Sequence, residues 1–348
     1  MRYRYLLAWL SLLAVVALLG ACAPPAPTAA PTAPAPTTVP PTTVPPTAAP
    51  PTVAPPTAVP PTAAPKPAAT AATAGSGFPV TVKDDAGRQV TLARPPQRIV
   101  SIAPSNTEIL FALGLGERVV GVDQFSNYPP EAKQKPQLGS YVKPDLEALV
   151  AATPDLVLAS EAHTKSVLPE LEARKVVTLV VDPKNVDQVF DRILLIGKVT
   201  GQDASAEKLV GQLKERAASV TARVKDAPKT RVFFELSPEL YTAGPGTFVH
   251  DLIERSAGQN VAADAGQPWP QLSLEAIVQR DPEVVLLGDE VAGETPEKVK
   301  ARPAWAKVSA VRAGRVVVID PDLANRPGPR VVDGLEQVAR ALHPDRFG

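Results

Sequence analysis

The chain has 348 residues, 45% of them apolar, which is enough to bury a substantial core and suggests about two domains. Lys and Arg together number 36 and so do Asp and Glu, so no bulk positive field marks a nucleic-acid partner and no acidic excess marks a solvating tail. A lone cysteine excludes any disulfide within the chain, and the 41 prolines are unevenly spread.

Residues 1–22 have the pattern of an export signal. Arg2 and Arg4 precede the uncharged run "LLAWLSLLAVVALLGA", which is short for a membrane span of about 20 residues. Leu19, Gly20, Ala21 and Cys22 resemble a bacterial lipobox, which implies cleavage before Cys22 and acylation of its thiol. Residues 23–76 then hold 18 of the prolines and one charge, Lys66, with "PPTxx" repeated five times between Pro40 and Ala64. With no apolar periodicity to bury, this segment is expected to be an unfolded polyproline II tether, reaching up to about 160 Å when fully stretched. The globular part is therefore expected outside the cytoplasm, lipid-anchored to the cell membrane.

Folding is expected from residue 77 onward. "FPVTVKDDAGRQVTL" alternates apolar and polar residues on both sides of "DDAGR", a hairpin signal. Short apolar runs and helical patterns then alternate: "RIVSIA", "NTEILFALGLG", "VVGVDQ", "LEALVAAT", "DLVLAS", "VLPELEARK" and "VVTLVVD". This is the signature of an α/β fold with a parallel sheet. Residues 203–225, "DASAEKLVGQLKERAASVTARVK", form one long amphipathic helical pattern, after which the alternation resumes with "RVFFELS", "TFVHDLIERSAG", "LEAIVQRD", "EVVLLG" and "RVVVIDPD".

The two halves match in order and in content. "DLEALVAATPDLVLAS", residues 145–160, is nearly restated 128 positions later as "SLEAIVQRDPEVVLLG". An arginine-led strand at Arg98 is echoed at Arg231. Shared local preference for a helix stopped by Pro154 or Pro282 contributes to the likeness, but the matching order on both sides of a central helix implies two similar α/β lobes. The expected units are an N-terminal lobe over 77–202, a bridging helix over 203–225 and a C-terminal lobe over 226–348.

Catalytic signatures are missing. The chain has no G-x-S-x-G elbow, no phosphate-binding G-x-x-x-x-G-K-[ST] loop, and "GLGERVVG" lacks dinucleotide-loop spacing. Its three histidines, His163, His250 and His343, are too far apart in sequence to suggest a metal cluster. A binding protein, rather than an enzyme, is the expected class.

Four blocks carry a family resemblance: "RIVSIAPSNTEILFALGLGERVVGVDQFSNYPPEAK", "LGSYVKPDLEALVAATPDLVLAS", "QPWPQLSLEAIVQRDPEVVLLG" and "NRPGPRVVDGLEQVARALHP". They resemble the periplasmic substrate-binding proteins of ABC importers for iron siderophores, haem and cobalamin. "PWPQLSLE" and "DPDLANRPGPR" are most similar to the cobalamin-binding members. The resemblance implies two Rossmann-like lobes bridged by a rigid helix, a ligand held between them with small closure, and a monomer. It also implies delivery to a permease dimer powered by a cytoplasmic ATPase, with acidic residues on each lobe meeting permease arginines. The matching positions are Glu147 and Glu275, although a glutamate in a first helical turn is also favoured by the helix dipole alone.

For the ligand, Pro104 and Asn106 lie where the first lobe of the family faces its cargo. Tyr128, Tyr141, Tyr241 and Trp269 supply flat rings suited to a large apolar macrocycle, while Asp322 and Arg326, four apart, can accept from amides and donate to oxygens. Each ring has a plainer role as loop cover, and the Asp322–Arg326 pair as a surface ion pair. Ser105 and Glu108 fit a capping box. No resident cofactor is expected, and cobalamin is the expected cargo. Where close cobalamin-binding members carry tryptophan this chain has Tyr141, which would act as a metal ligand only for haem; haem, and behind it a ferric siderophore, is the alternative. A surface-tethered protein-interaction domain is a second alternative class.

Overall fold

The computed structural model describes residues 77–289 and 293–348. The expected export signal, the expected acylation site at Cys22 and the expected tether lie outside the described residues.

Strands β1 (Val80–Lys83) and β2 (Gln89–Leu92) form the expected antiparallel hairpin, with Val80 opposite Leu92. Asp84 in its turn fixes the hairpin to the rest of the fold: its carboxylate accepts from Arg88, and Arg88 also donates to the Thr178 carbonyl at 2.9 Å. Next come β3 (Ile99–Ser101), α1 (Pro104–Ala112), β4 (Val119–Val122), α2 (Leu146–Ala151), β5 (Leu156–Ala159), α3 (Leu168–Ala173) and β6 (Thr178–Val180). These strands form a parallel sheet in the order β4-β3-β5-β6.

Helices α4 (Val186–Thr200) and α5 (Asp203–Val224) follow as an adjacent pair. The second lobe contains β7 (Thr230–Glu235), α6 (Phe248–Arg255), β8 (Gly258–Asn260), α7 (Leu274–Arg280), β9 (Val284–Leu287), α8 (Pro296–Ala301), α9 (Ser309–Arg312), β10 (Val316–Val318), α10 (Pro321–Ala324) and α11 (Val331–Leu342). Its parallel sheet has the order β10-β9-β7-β8, which read from the other edge repeats the first sheet: second strand, first, third, fourth. The fold is therefore α/β, with parallel sheets in two topologically equivalent lobes.

Alternation along each buried strand sends side chains into cores on both faces. Leu156 and Leu158 join one cluster and Val157 and Ala159 another; in the second lobe Val284 and Leu286 separate from Val285 and Leu287 in the same way. Helix α5 buries Ala206, Val210, Leu213, Ala217, Val220 and Val224, one stripe at helical spacing. The cluster containing that stripe includes Ile99 of the first lobe and Leu252 and Leu335 of the second. Apolar packing is thus continuous from lobe to lobe.

The sequence repeat is α2–β5 and α7–β9, the same module in each lobe. Asp145 and Ser273 cap the helices, their side-chain oxygens accepting from the N–H groups of Ala148 and Ala276 at 3.0 and 3.2 Å. At the other end Thr153 and Asp281 both turn left-handed, with φ of 45° and 40°, ahead of the matched prolines. Arg98 and Arg231 then donate through Nε to the carbonyls of those residues at 3.1 and 3.0 Å. Asp155 and Glu283 close the module by accepting from the backbone N–H of the same two arginines at 3.1 and 2.9 Å. A short helix, a forced left-handed turn and a strand are thereby locked into one corner, which is why so many positions recur.

The capping-box expectation for Ser105 and Glu108 is corrected. The N-cap of α1 is Ala103, with no side-chain cap, and Pro104 already begins the helix. Glu108 instead meets Arg330 and Arg326 from the second lobe.

Candidate functional site

A cleft of about 990 Å³ opens between the lobes, lined by residues that follow the C-terminal ends of strands in both sheets. Such ends are where open parallel sheets present loops and helix starts to a ligand. From the first lobe come Pro104 after β3, Phe125 after β4, Ser160 and Glu161 after β5, and Asp182 and Lys184 after β6. From the second come Thr247 and Phe248, Trp269, and Asp322 and Arg326 at and beyond α10.

Of the eight ligand residues expected from sequence, Pro104, Tyr141, Trp269, Asp322 and Arg326 line this cleft. Trp269 is 54% exposed, an apolar ring left open to the cleft. It is held there by paired backbone: Gly244 and Thr242 donate to the carbonyls of Pro268 and Pro270 at 2.8 and 2.9 Å. Gly244 is required for that approach, because a Cβ there would lie 2.3 Å from the Gln267 carbonyl oxygen.

Asn106, Tyr128 and Tyr241 are not in the cleft lining. Asn106 is fully buried, its amide nitrogen donating to the Ala159 carbonyl at 3.1 Å, so it joins α1 to the end of β5. The Tyr128 ring lies under the Arg330 guanidinium, 4.1 Å from ring centre to carbon, in a cation–π contact. Tyr241 pairs with Gln271 through a backbone bridge, away from the lining.

Asp322 and Arg326 do more than face a ligand. They pair at 2.6 Å, and Asn127 of the first lobe holds both: its amide nitrogen donates to Asp322 at 3.0 Å and its oxygen accepts from Arg326 at 2.6 Å.

On the opposite wall Lys184 donates to Asp182 and, at 2.6 Å, to Glu161. Burial disfavours the Lys184 ammonium, but the two carboxylates outweigh it and its pKa is raised. Burial raises Asp182, while the hydrogen bond from Lys184 lowers Glu161. Sequence reasoning missed this triad and Phe125, although all four follow the apolar runs that mark strands. Phe125, 49% exposed, is aimed by Asp123, whose carboxylate accepts from the Phe125 N–H at 2.8 Å and from Ser126 at 2.5 Å. Burial raises the Asp123 pKa.

Tyr141 bonds through its hydroxyl to Ser160 at 2.9 Å, and its ring meets the buried His163 edge-on at 5.1 Å between centres. Burial raises the Tyr141 pKa and lowers that of His163, favouring the neutral form of each.

Two lobes of like topology, a cleft between their strand ends, exposed rings and paired polar groups define a small-molecule binding protein. A periplasmic binding protein family model matches residues 99–323, and the chain belongs to that family of non-enzymatic transport components. It is 36% identical over 279 residues to the ABC transporter substrate-binding lipoprotein YvrC of Bacillus subtilis, covering 78% of this chain and 87% of that one. It is 33% identical over 276 residues to a cobalamin-binding protein of Halobacterium salinarum, covering 76% and 74%. Among solved structures it is similar to the periplasmic haem-binding protein RhuT of Roseiflexus sp. RS-1, with a TM-score of 0.66 at 27% identity, covering 72% of this chain and 99% of that one.

Proposed function

We propose that the chain is the lipid-anchored, extracytoplasmic receptor of an ABC importer for a corrinoid of the cobalamin class, working as a monomer. The observation that carries this reading is the lining of the cleft. Phe125, Tyr141 and Trp269 offer flat apolar surface, while Lys165, Lys184 and Arg326 are balanced in number by Glu161, Asp182 and Asp322. A charge-balanced wall with stacking faces suits a large macrocycle rimmed with neutral amides better than a polyanionic chelate. In this reading Trp269 and Phe125 cover the macrocycle, Pro104 forms the floor at the start of α1, and Asp322 and Arg326 meet side-chain amides. Similarity to the Halobacterium protein supports the same cargo. Glu147 and Glu275 dock to the permease, and acylated Cys22 anchors the receptor.

Haem is the second reading, favoured by a tyrosine in the cleft lining and by likeness to RhuT. Absorbance titrations of the purified protein with cyanocobalamin and with haemin separate the two. Saturable binding of cyanocobalamin with none of haemin is expected. A Soret shift with haemin that disappears in Tyr141→Phe overturns the corrinoid reading.

A further inference from the structure

The hydrogen bonds behind Tyr141 constrain the direction in which its hydroxyl points. His163 is fully buried, and its two ring nitrogens face backbone groups that cannot reverse role. Nδ1 lies 3.0 Å from the Ser160 backbone N–H, which can only donate, and Nε2 lies 2.6 Å from the Tyr141 carbonyl oxygen, which can only accept. A proton on Nδ1 would oppose the N–H, and a bare Nε2 would set lone pair against lone pair. Only the neutral ring with its proton on Nε2 satisfies both, so the tautomer follows from the network.

Ser160 continues the chain. Its Oγ lies 3.0 Å from the bare Nδ1, which can only accept, so with the hydroxyl proton on that contact the Ser160 N–H and O–H share the one ring lone pair. The Ser160 oxygen, 2.9 Å from the Tyr141 hydroxyl, is left to accept, and the phenol proton points back into the first lobe. Tyr141 lines the cleft, and with its proton directed to Ser160 its phenol oxygen has only lone pairs to offer there.

We infer that Ser160 and His163 are positioning residues that make Tyr141 a hydrogen-bond acceptor toward the cleft, so that this point of the site selects a ligand group carrying an N–H or O–H donor. The inference rests on the corrinoid reading for its ligand, whose primary amides are such donors, but the direction of the relay is a property of the empty protein. A carboxylate or carbonyl brought to the same point would find no donor there. The buried His163 is the origin of this polarity although it does not line the cleft.

Two measurements on the full-length protein test it. Ring nitrogen NMR of protein labelled with 15N-histidine, with His163 assigned from the spectrum of His163→Gln, should show a bare Nδ1 and a protonated Nε2 at neutral pH. The opposite tautomer, or an imidazolium, overturns the inference whatever the ligand. The second is a cycle of cyanocobalamin affinities. Tyr141→Phe and Ser160→Ala should each weaken binding about three- to tenfold, the range of one hydrogen bond, and the double variant should be no weaker than Tyr141→Phe alone. Multiplying losses, or a Ser160→Ala that binds like the parent while Tyr141→Phe does not, overturn it. Should the parent protein fail to bind cyanocobalamin, the corrinoid reading fails, and the opposite His163 tautomer would still overturn the relay.

Discussion

Glu108 and Arg330, 222 residues apart in the chain, meet through two hydrogen bonds of 2.9 and 2.6 Å that join α1 of the first lobe to the start of α11 in the second. The carboxylate side chain is only 2% exposed, and Arg326 adds a further contact at 3.6 Å. Arg330 also covers the ring of Tyr128, and Arg326 reaches Asn127, so one patch of side chains spans the lobes beside the cleft. With the apolar seam along α5, this patch ties the two lobes together.

Removing one side of that pair should be costly, because partly buried guanidinium groups would lose their counter-charge. Glu108→Ala is expected to destabilise the fold by about 3 kcal/mol, a loss typical of breaking a buried ion pair. Chemical denaturation measures it, and the corresponding fall in Tm is roughly 5–10 °C. A change below about 1 kcal/mol would mean that the contact contributes no more than a surface pair.

The matched corners make a second prediction, because their left-handed residues are not equivalent. Asp281 has φ of 40° but gains from it, its carboxylate accepting from the N–H and hydroxyl of Ser309 at 2.7 Å each. Those bonds hold the Asp281 pKa below the usual carboxylate range. Thr153 at φ of 45° is β-branched, and its side chain has no hydrogen bond among the described residues. Thr153→Gly should therefore stabilise the protein by about 1 kcal/mol by relieving backbone strain, whereas Asp281→Gly should destabilise it by a similar amount. Denaturation midpoints of the two variants should move in opposite directions.

Asp289, at the end of β9, is buried, and neither carboxylate oxygen has a hydrogen-bond partner among the described residues. Burial, then the nearby Glu235 carboxylate, push its pKa from 3.8 up to about 6; its own backbone N–H, too poorly aligned to count as a hydrogen bond, opposes the rise, as does Arg302, and Glu294 adds to it. Arg302 is committed to Glu235, through two hydrogen bonds of 2.8 and 2.5 Å, and to Glu294 at 2.8 Å. Between pH 3.8 and about 6 the folded chain keeps a proton that the unfolded chain has released, so this contribution to stability falls as pH rises through that window and is flat above it. Asp289→Asn removes the dependence. The variant should match the parent near pH 4 and exceed it by on the order of 1–3 kcal/mol at pH 7. A stability difference that does not change with pH would contradict the assignment.

Much of this was legible in the sequence because it is local. Parallel strands buried on both faces read as apolar runs, so "DLVLAS" and "VVTLVVD" marked both a sheet and the loops beyond it. Tyr141 and Trp269 could be placed in the cleft because they are rare aromatic rings within the blocks that carry the family resemblance. Asn106, Tyr128 and Glu108 could not, because their partners lie far along the chain: the Ala159 carbonyl, and Arg330 for the other two. Glu108 satisfied a local capping rule and a distant ion pair at once, and burial against a long-range cation decided between them. The relay behind Tyr141 was hidden for the same reason, since His163 acts on Tyr141 from 22 residues away.

Glu147 and Glu275 occupy the same turn of the repeated module, at the exposed starts of α2 and α7. Neither forms an ion pair among the described residues, and neither lines the cleft. The contacts that close the module in both lobes are made by Arg98 and Arg231, so nothing inside the corner requires these two carboxylates. They form a matched pair of acidic side chains, one per lobe, and in the docking proposed above each would meet a cationic site on one permease subunit. Replacing both with lysine should leave cyanocobalamin affinity within about twofold of the parent and reduce uptake into cells roughly tenfold or more, because like charges brought together at an interface cost several kcal/mol. Uptake of labelled cyanocobalamin alongside solution affinity separates the two effects. Loss of affinity in the double variant would place these glutamates in the binding fold rather than on the docking face, and undiminished uptake would remove them from the interface altogether.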